Sequence, residues 1–131
     1  MIEISDKDFN IEEVINKMKA KSVGAIVTFL GIVRGGKEKE IIRMEIEAYK
    51  EMAIKKFNEI RKETLKKFDV KEIAIIHRIG KLNVGDNIVL IVVSCSNRKE
   101  AFQACEYVIN EIKKVVPIWK KEIRKNGEYW K

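Results

Sequence analysis

Apolar residues recur along this chain with two different periods, and the switches between them mark out its elements. Ile11, Val14, Ile15 and Met18 stand three or four positions apart, the spacing of one helix face, and Asp8 or Asn10 upstream has a short polar side chain suited to capping the start. The run VGAIVTFLGIV, residues 23–33, is dense in β-branched residues and predicts a buried strand. It stops at the loop RGGKEKE, where Gly35 and Gly36 loosen the backbone. In IIRMEIEAY the period drops to two. Ile42, Met44, Ile46 and Ala48 share one face and Arg43, Glu45 and Glu47 the other, so this stretch predicts the returning strand of an antiparallel hairpin.

Helical spacing returns between Lys50 and Phe68, where Ala53, Phe57, Ile60, Thr64 and Phe68 recur among lysines and glutamates, predicting an amphipathic helix laid on a sheet. KEIAIIHRIG and NIVLIVVSCS predict two further strands, joined by KLNVGD with its turn-forming Asn83 and Gly85. NRKEAFQACEYVINEIKKVV predicts the last long helix, opened by Asn97 with Glu100 three positions on, in the form of a capping box, and closed by Pro117. Without repeat, low-complexity tract or linker, residues 1–131 are expected to form a single α+β domain with a mainly antiparallel sheet.

On a helical projection of that last helix, Phe102, Cys105, Val108, Ile109, Ile112 and Val116 gather into one apolar stripe. Lys113 falls on the stripe's shoulder, whereas Lys114 points away from it, so the two neighbours serve different ends. An edge lysine of this kind ordinarily packs its methylenes on the stripe and keeps its ammonium wet. Beyond Pro117, Ile118 and Trp119 offer apolar anchors that fix where Lys120 and Lys121 project.

Composition narrows the chemistry. With 131 residues and 46% hydrophobic content the chain buries a core without disulfides. No basic leader with an apolar centre and no membrane-length apolar run is present, which predicts a cytoplasmic protein with no membrane partner. Two cysteines and one histidine make no zinc-binding spacing, so no metal site and no cofactor is expected. The net charge of +7 favours an anionic partner: nucleic acid, a phosphorylated small molecule or an acidic protein. High Lys and Glu also suit a heat-adapted surface of ion pairs, so part of this charge is explained without a ligand.

Arg34 borders the glycine-rich loop, and Arg98 lies in the first turn of the last helix, where free N–H groups already favour an anion. Each alone reads as a solvated surface arginine; only convergence in space makes a site of them. Cys95, ending an apolar strand, and Cys105, on the helix stripe, read as small buried hydrophobes. His77, inside a strand with no identifiable carboxylate partner, reads as structural, with a role as base the alternative.

Three separated blocks, GAIVTFLGIVRG, IHRIGKLNVGDNIVLIVVSCSNRKEAFQACEYVINEIKK and VPIWKKE, together resemble the large, catalytic subunit of molybdopterin synthase, the MoaE family, from about Val23 to Trp130. The resemblance implies an α/β-hammerhead fold. It also implies a reaction in which cyclic pyranopterin monophosphate (precursor Z) receives two sulfurs to become molybdopterin. The sulfur donor so implied is the thiocarboxylated C-terminus of a small ubiquitin-like subunit, MoaD, with a homodimer of the large subunit at the centre of a heterotetramer. Residue by residue, Lys113 matches the lysine beside the inserted carrier tail and Lys120 the lysine of the pterin pocket, the two catalytic candidates. Arg34 and Arg98 match arginines that hold the anionic substrate, and Asn97, Lys121 and Glu122 complete the implied substrate contacts.

Two departures qualify this reading. Asn97 stands where many relatives of that kind have His, so a proton-transfer role does not carry over, while a helix cap does. The chain also stops soon after GEYW, where such relatives often continue. Two other classes stay open at this point. One is a non-catalytic module holding a ubiquitin-like tail. The other is a basic nucleic-acid-binding domain, which fits the charge but lacks the aromatic platform, zinc finger or helix-turn-helix signature of such domains.

Overall fold

The computed structural model describes residues 1–36 and 40–131; Lys37, Glu38 and Lys39 of the predicted RGGKEKE loop lie outside the described residues. In chain order the elements are β1 (Ile2–Ser5), α1 (Ile11–Lys17), β2 (Ala25–Ile32), β3 (Ile41–Ala48), α2 (Lys50–Lys67), β4 (Val70–Arg78), β5 (Gly80–Asn83), β6 (Asn87–Cys95), α3 (Arg98–Val115), β7 (Ile118–Arg124) and β8 (Gly127–Trp130). Among the described residues the strands form two four-stranded sheets, ordered β1-β4-β6-β2 and β5-β3-β7-β8. Only the β1–β4 pair is parallel, which makes this an α+β architecture of mostly antiparallel sheets.

β4 and β6 occupy the middle of the first sheet, and their near-continuous apolar runs follow from burial on both faces. The period of two sorts their side chains between two cores. Ile73, Ile75, Ile91 and Val93 face α2 and α3, meeting Phe57, Ile60, Ala104 and Val108. Ala74, Ile76, Leu90 and Val92 face α1, meeting Val14 and Met18. α2 buries Ala53, Phe57, Ile60 and Thr64, the face read from the sequence. The Thr64 hydroxyl satisfies itself on the Ile60 carbonyl at 2.6 Å. α1 and α3 start where expected, with Asn10 Oδ1 accepting from Glu13 N at 3.0 Å and Asn97 Oδ1 from Glu100 N at 3.1 Å.

Several expectations are corrected. β2 and β3 are not a hairpin: β2 pairs with β6 in the first sheet, and β3 pairs with β5 and β7 in the second. The segment between them is too long to act as a two-residue turn, so nothing local forces adjacent strands to pair. Ile42 is 51% exposed because a register shift between Ile41 and Arg43 turns Ile41 inward in its place, leaving Met44 and Ile46 as expected. Phe102 is 63% exposed. The buried stripe of α3 is centred instead on Ala101, Ala104, Cys105 and Val108, small residues that let the helix lie close on the sheet. The first three residues of KLNVGD belong to strand β5 (Gly80–Asn83), and only the part around Gly85, at φ +92, is turn. β1, β7 and β8 are further strands that the apolar pattern did not predict.

Candidate active site

The two sheets, α3 and the segment after β2 meet around a cleft with two adjoining chambers of about 270 and 350 Å³. The larger-walled first chamber is mostly apolar, with Phe29 and Gly31 from β2, Ile91 from β6 and Ile112 from α3. Gly31 keeps it open, since a Cβ there would stand 2.8 Å from Val89 Cγ1. Arg34 reaches this chamber from the end of β2 and Glu122 from β7. Lys113, Lys120, His77 and Lys131 line both chambers and form the divide between them.

Local structure explains each position. Lys113 sits in the last turn of α3, on the shoulder of the buried stripe, and lines the cleft, while Lys114, also exposed, lies outside it and pairs with Glu111 at 3.7 Å. Cations in that turn also complement the helix dipole. Pro117 ends the helix, the chain turns into β7, and strand alternation sends Lys120 and Glu122 into the cleft. Glu122 lies opposite Met44 and Lys120 opposite Ile46, so the buried face of β3 anchors the strand beneath them.

Among the described residues, electrostatics in the cleft are dominated by Arg34, Lys113, Lys120 and Lys131, against the carboxylate of Glu122. Glu122 is 2% exposed and already engaged, accepting from Arg124 Nη2 at 2.7 Å and lying 3.7 Å from Lys131 Nζ. The Lys120 pKa is held below the ordinary lysine value, first by burial and then by the Lys131 and Lys113 ammonium groups. His77 is 2% exposed. Burial brings its pKa down to about 4, a hydrogen bond with the Arg78 carbonyl partly opposes this, and Lys120 lowers it further. A partly dry, cationic cleft of this kind suits an anionic ligand, and its half-buried lysine gives up its proton more readily than an exposed lysine does. Among the described residues no group of three or more His, Cys, Asp and Glu side chains is placed to hold a metal ion.

Of the sequence-predicted residues, Arg34, Lys113, Lys120 and Glu122 come together. Three do not. Lys121 points to the other side of the second sheet, 3.5 Å from Glu128 and with its ammonium 5.2 Å from the centre of the Trp130 ring. Asn97 and Arg98 stand at the opposite end of α3, whose 18 residues span about 27 Å. Two cleft residues went unassigned by sequence reasoning, His77 and Lys131. The signal for Lys131 was Asn126 followed by Gly127: the chain turns at Lys125 and Asn126, Gly127 at φ +148 opens β8 opposite Arg124, and the hairpin brings Lys131 N within 2.8 Å of Lys120 O.

Fold and cleft thus define an α+β protein with a basic pocket for an anionic ligand. Comparison with known proteins is more specific. The model of the MoaE protein family matches residues 4–115. Molybdopterin synthase catalytic subunit of Pyrococcus abyssi is 47% identical over 125 residues, covering 95% of this chain and 84% of that protein. The subunit of the same name from Bacillus subtilis is 44% identical over 129 residues, covering 98% of this chain and 82% of that protein. The crystal structure of molybdopterin synthase from Staphylococcus aureus superimposes with a TM-score of 0.92 at 40% identity, covering 98% of this chain and 94% of that one. The chain belongs to the MoaE family, and so stands among the enzymes of molybdenum cofactor biosynthesis.

Proposed function

We propose that this chain is the sulfur-transferring subunit that converts cyclic pyranopterin monophosphate to molybdopterin, taking two sulfurs, one from each of two thiocarboxylated C-termini of a small ubiquitin-like partner. The observation that carries the reading is the convergence of Arg34, Lys113 and Lys120, from three distant segments, on one cleft. A phosphate and a thiocarboxylate are both negative, and bringing them together takes fixed cations where water screens little. Arg34 offers a planar fork to the phosphate. Lys113 neutralises the carrier's terminal carboxyl group and the charge that grows on it as sulfur leaves. Lys120, with its lowered pKa, reaches the neutral amine more readily than an ordinary lysine and serves as acid and base at the pterin.

Arg98 cannot reach the Lys113–Lys120 cleft of its own chain from the far end of α3. In the homodimer that the family resemblance implies, a second copy can supply it, and Asn97 then acts by holding the helix start that presents it. The reading takes residues 1–131 as one domain working in the cytoplasm, the compartment in which the two free cysteines, Cys95 and Cys105, stay reduced. No described helix is long and apolar enough to cross a membrane.

Reconstitution with the thiocarboxylated small subunit and the cyclic pterin tests this. Wild type should form the dithiolene product, and Lys113→Ala and Lys120→Ala should not at comparable rates. Wild-type turnover by both variants would remove the site assignment.

A further inference from the structure

The cleft contains a histidine that the reading above leaves without work. His77 is the only histidine of the chain, and it lines both chambers beside Lys120 at the end of β4. Its ring is held on two sides. Phe57 from α2 stacks on it with centroids 6.3 Å apart and planes 22° from parallel. Nδ1 lies 2.8 Å from the Arg78 carbonyl oxygen. A carbonyl only accepts, so the hydrogen resides on Nδ1 and the lone pair on Nε2. Among the described residues no hydrogen bond occupies Nε2, and none occupies the Lys120 ammonium, which has no ion pair either. A half-buried donor and a ring acceptor, neither with a partner among the described residues, thus share one cavity wall.

We propose that His77 is the positioning residue for Lys120: its Nε2 accepts a hydrogen bond from the Lys120 ammonium and aims it at the divide between the two chambers. Among the described residues, every other charged group lining the cleft with that ammonium is either a cation, namely Arg34, Lys113 and Lys131, or the carboxylate of Glu122, which Arg124 and Lys131 hold. A neutral acceptor does what a further carboxylate or cation could not. It orients the lysine without cancelling the positive field that the substrate needs and without adding repulsion. The low affinity of His77 for a proton suits this, since a charged imidazolium would have no lone pair to offer. The bond favours the charged lysine, so its removal should lower the Lys120 midpoint further.

The inference rests on the proposed reaction only for its consequence in turnover; the bond itself is tested on the chain alone. Two substitutions separate positioning from structure. His77→Gln places a carbonyl oxygen near the Nε2 position and gives up Nδ1, whereas His77→Asn keeps a donor for the Arg78 carbonyl and removes the far acceptor. With folding checked by circular dichroism, the Lys120 midpoint is read by heteronuclear NMR of its Cε–Hε group across alkaline pH. We expect His77→Asn to lower the midpoint by about half a unit or more and His77→Gln to keep it near wild type. In reconstituted turnover, the kcat limb that follows Lys120 should move with it, while KM for the carrier stays in place. A midpoint unmoved in His77→Asn, or lost equally in both variants, overturns the inference even if Lys120→Ala is inactive. A midpoint that moves as expected supports the bond even if Lys120→Ala turns over normally, in which case it is the proposed reaction that fails.

Discussion

Lys120 and Lys121 follow one another on β7 and point to opposite sides of the second sheet: the first lines the cleft, and the second lies over Trp130 beside Glu128. Adjacent residues of one charge therefore make a controlled comparison. Lys120→Ala should lower kcat by about a hundredfold or more, the scale of lost proton transfer. Lys121→Ala should change turnover less than about twofold, because its ammonium lies outside the cleft, against Glu128 and Trp130. Steady-state rates of both variants with a saturating carrier would show it, and equal losses would contradict the facing of the strand.

The histidine also predicts how stability depends on pH. In the unfolded chain His77 titrates near its ordinary 6.5, but in the folded chain only at about 4. Above 6.5 both states are neutral there and the residue contributes nothing to the pH slope. As pH falls below 6.5 the unfolded state binds the proton first, so stability declines, and the loss is complete below about 4 at about 3 kcal/mol. Urea denaturation at pH 7.0 and 4.5 should show a steeper loss for wild type than for His77→Gln. Parallel losses would mean that the histidine is solvated.

Neither cysteine should carry sulfur. Burial pushes the Cys105 thiol up to about 11, and burial followed by the Glu100 and Asp69 carboxylates raises Cys95. At neutral pH the reactive thiolate is then scarce. The double replacement Cys95→Ala and Cys105→Ala should keep sulfur transfer within about twofold while costing about 1 kcal/mol per site in stability, as lost packing. Inactivity of that variant in a folded state would instead indicate a persulfide on the protein.

Asn97 and Arg98, side by side at the start of α3, should separate by what they disturb. Asn97→Ala removes the bond to Glu100 N and should cost about 1 kcal/mol, recovered by Asn97→Asp, as thermal denaturation would reveal. Arg98→Ala is exposed and should leave stability within about 0.5 kcal/mol. If a second copy supplies Arg98, mixing inactive Arg98→Ala and Lys120→Ala protomers should restore roughly a quarter of wild-type turnover, since half the dimers then hold one complete cleft. No recovery would place both groups in the same chain's site or Arg98 outside it.

Much of this was legible before the structure because period is a local property. Ala53, Phe57, Ile60 and Thr64 fell on the buried face of α2, and Lys113 on the shoulder of α3, from spacing alone. Pairing is not local. β2 and β3 read as a hairpin because they are neighbours in sequence, yet the doubly buried β6 takes β2, and β3 finds β5 and β7. β7 itself, with Trp119, Lys120, Lys121 and Glu122 among its seven residues, has no apolar alternation to announce a strand. It is held by β3 on one side and β8 on the other. His77 was invisible as a cleft residue for the same reason: its position depends on the junction of two sheets that the sequence does not display as two.

That β7 is a strand of the second sheet rather than a tail of α3 matters to anyone shortening this protein. Cutting after Val116 would spare the first sheet, all three helices and the core under α1, while taking Ile118 from the edge of the other core. Such a fragment would pass a helicity check and display Lys113, yet it would lack one whole wall of the cleft. A relative aligned only over the stretch shared by residues 4–115 leaves the same wall unexamined, so any survey of competent homologues should begin by inspecting the residue at position 120.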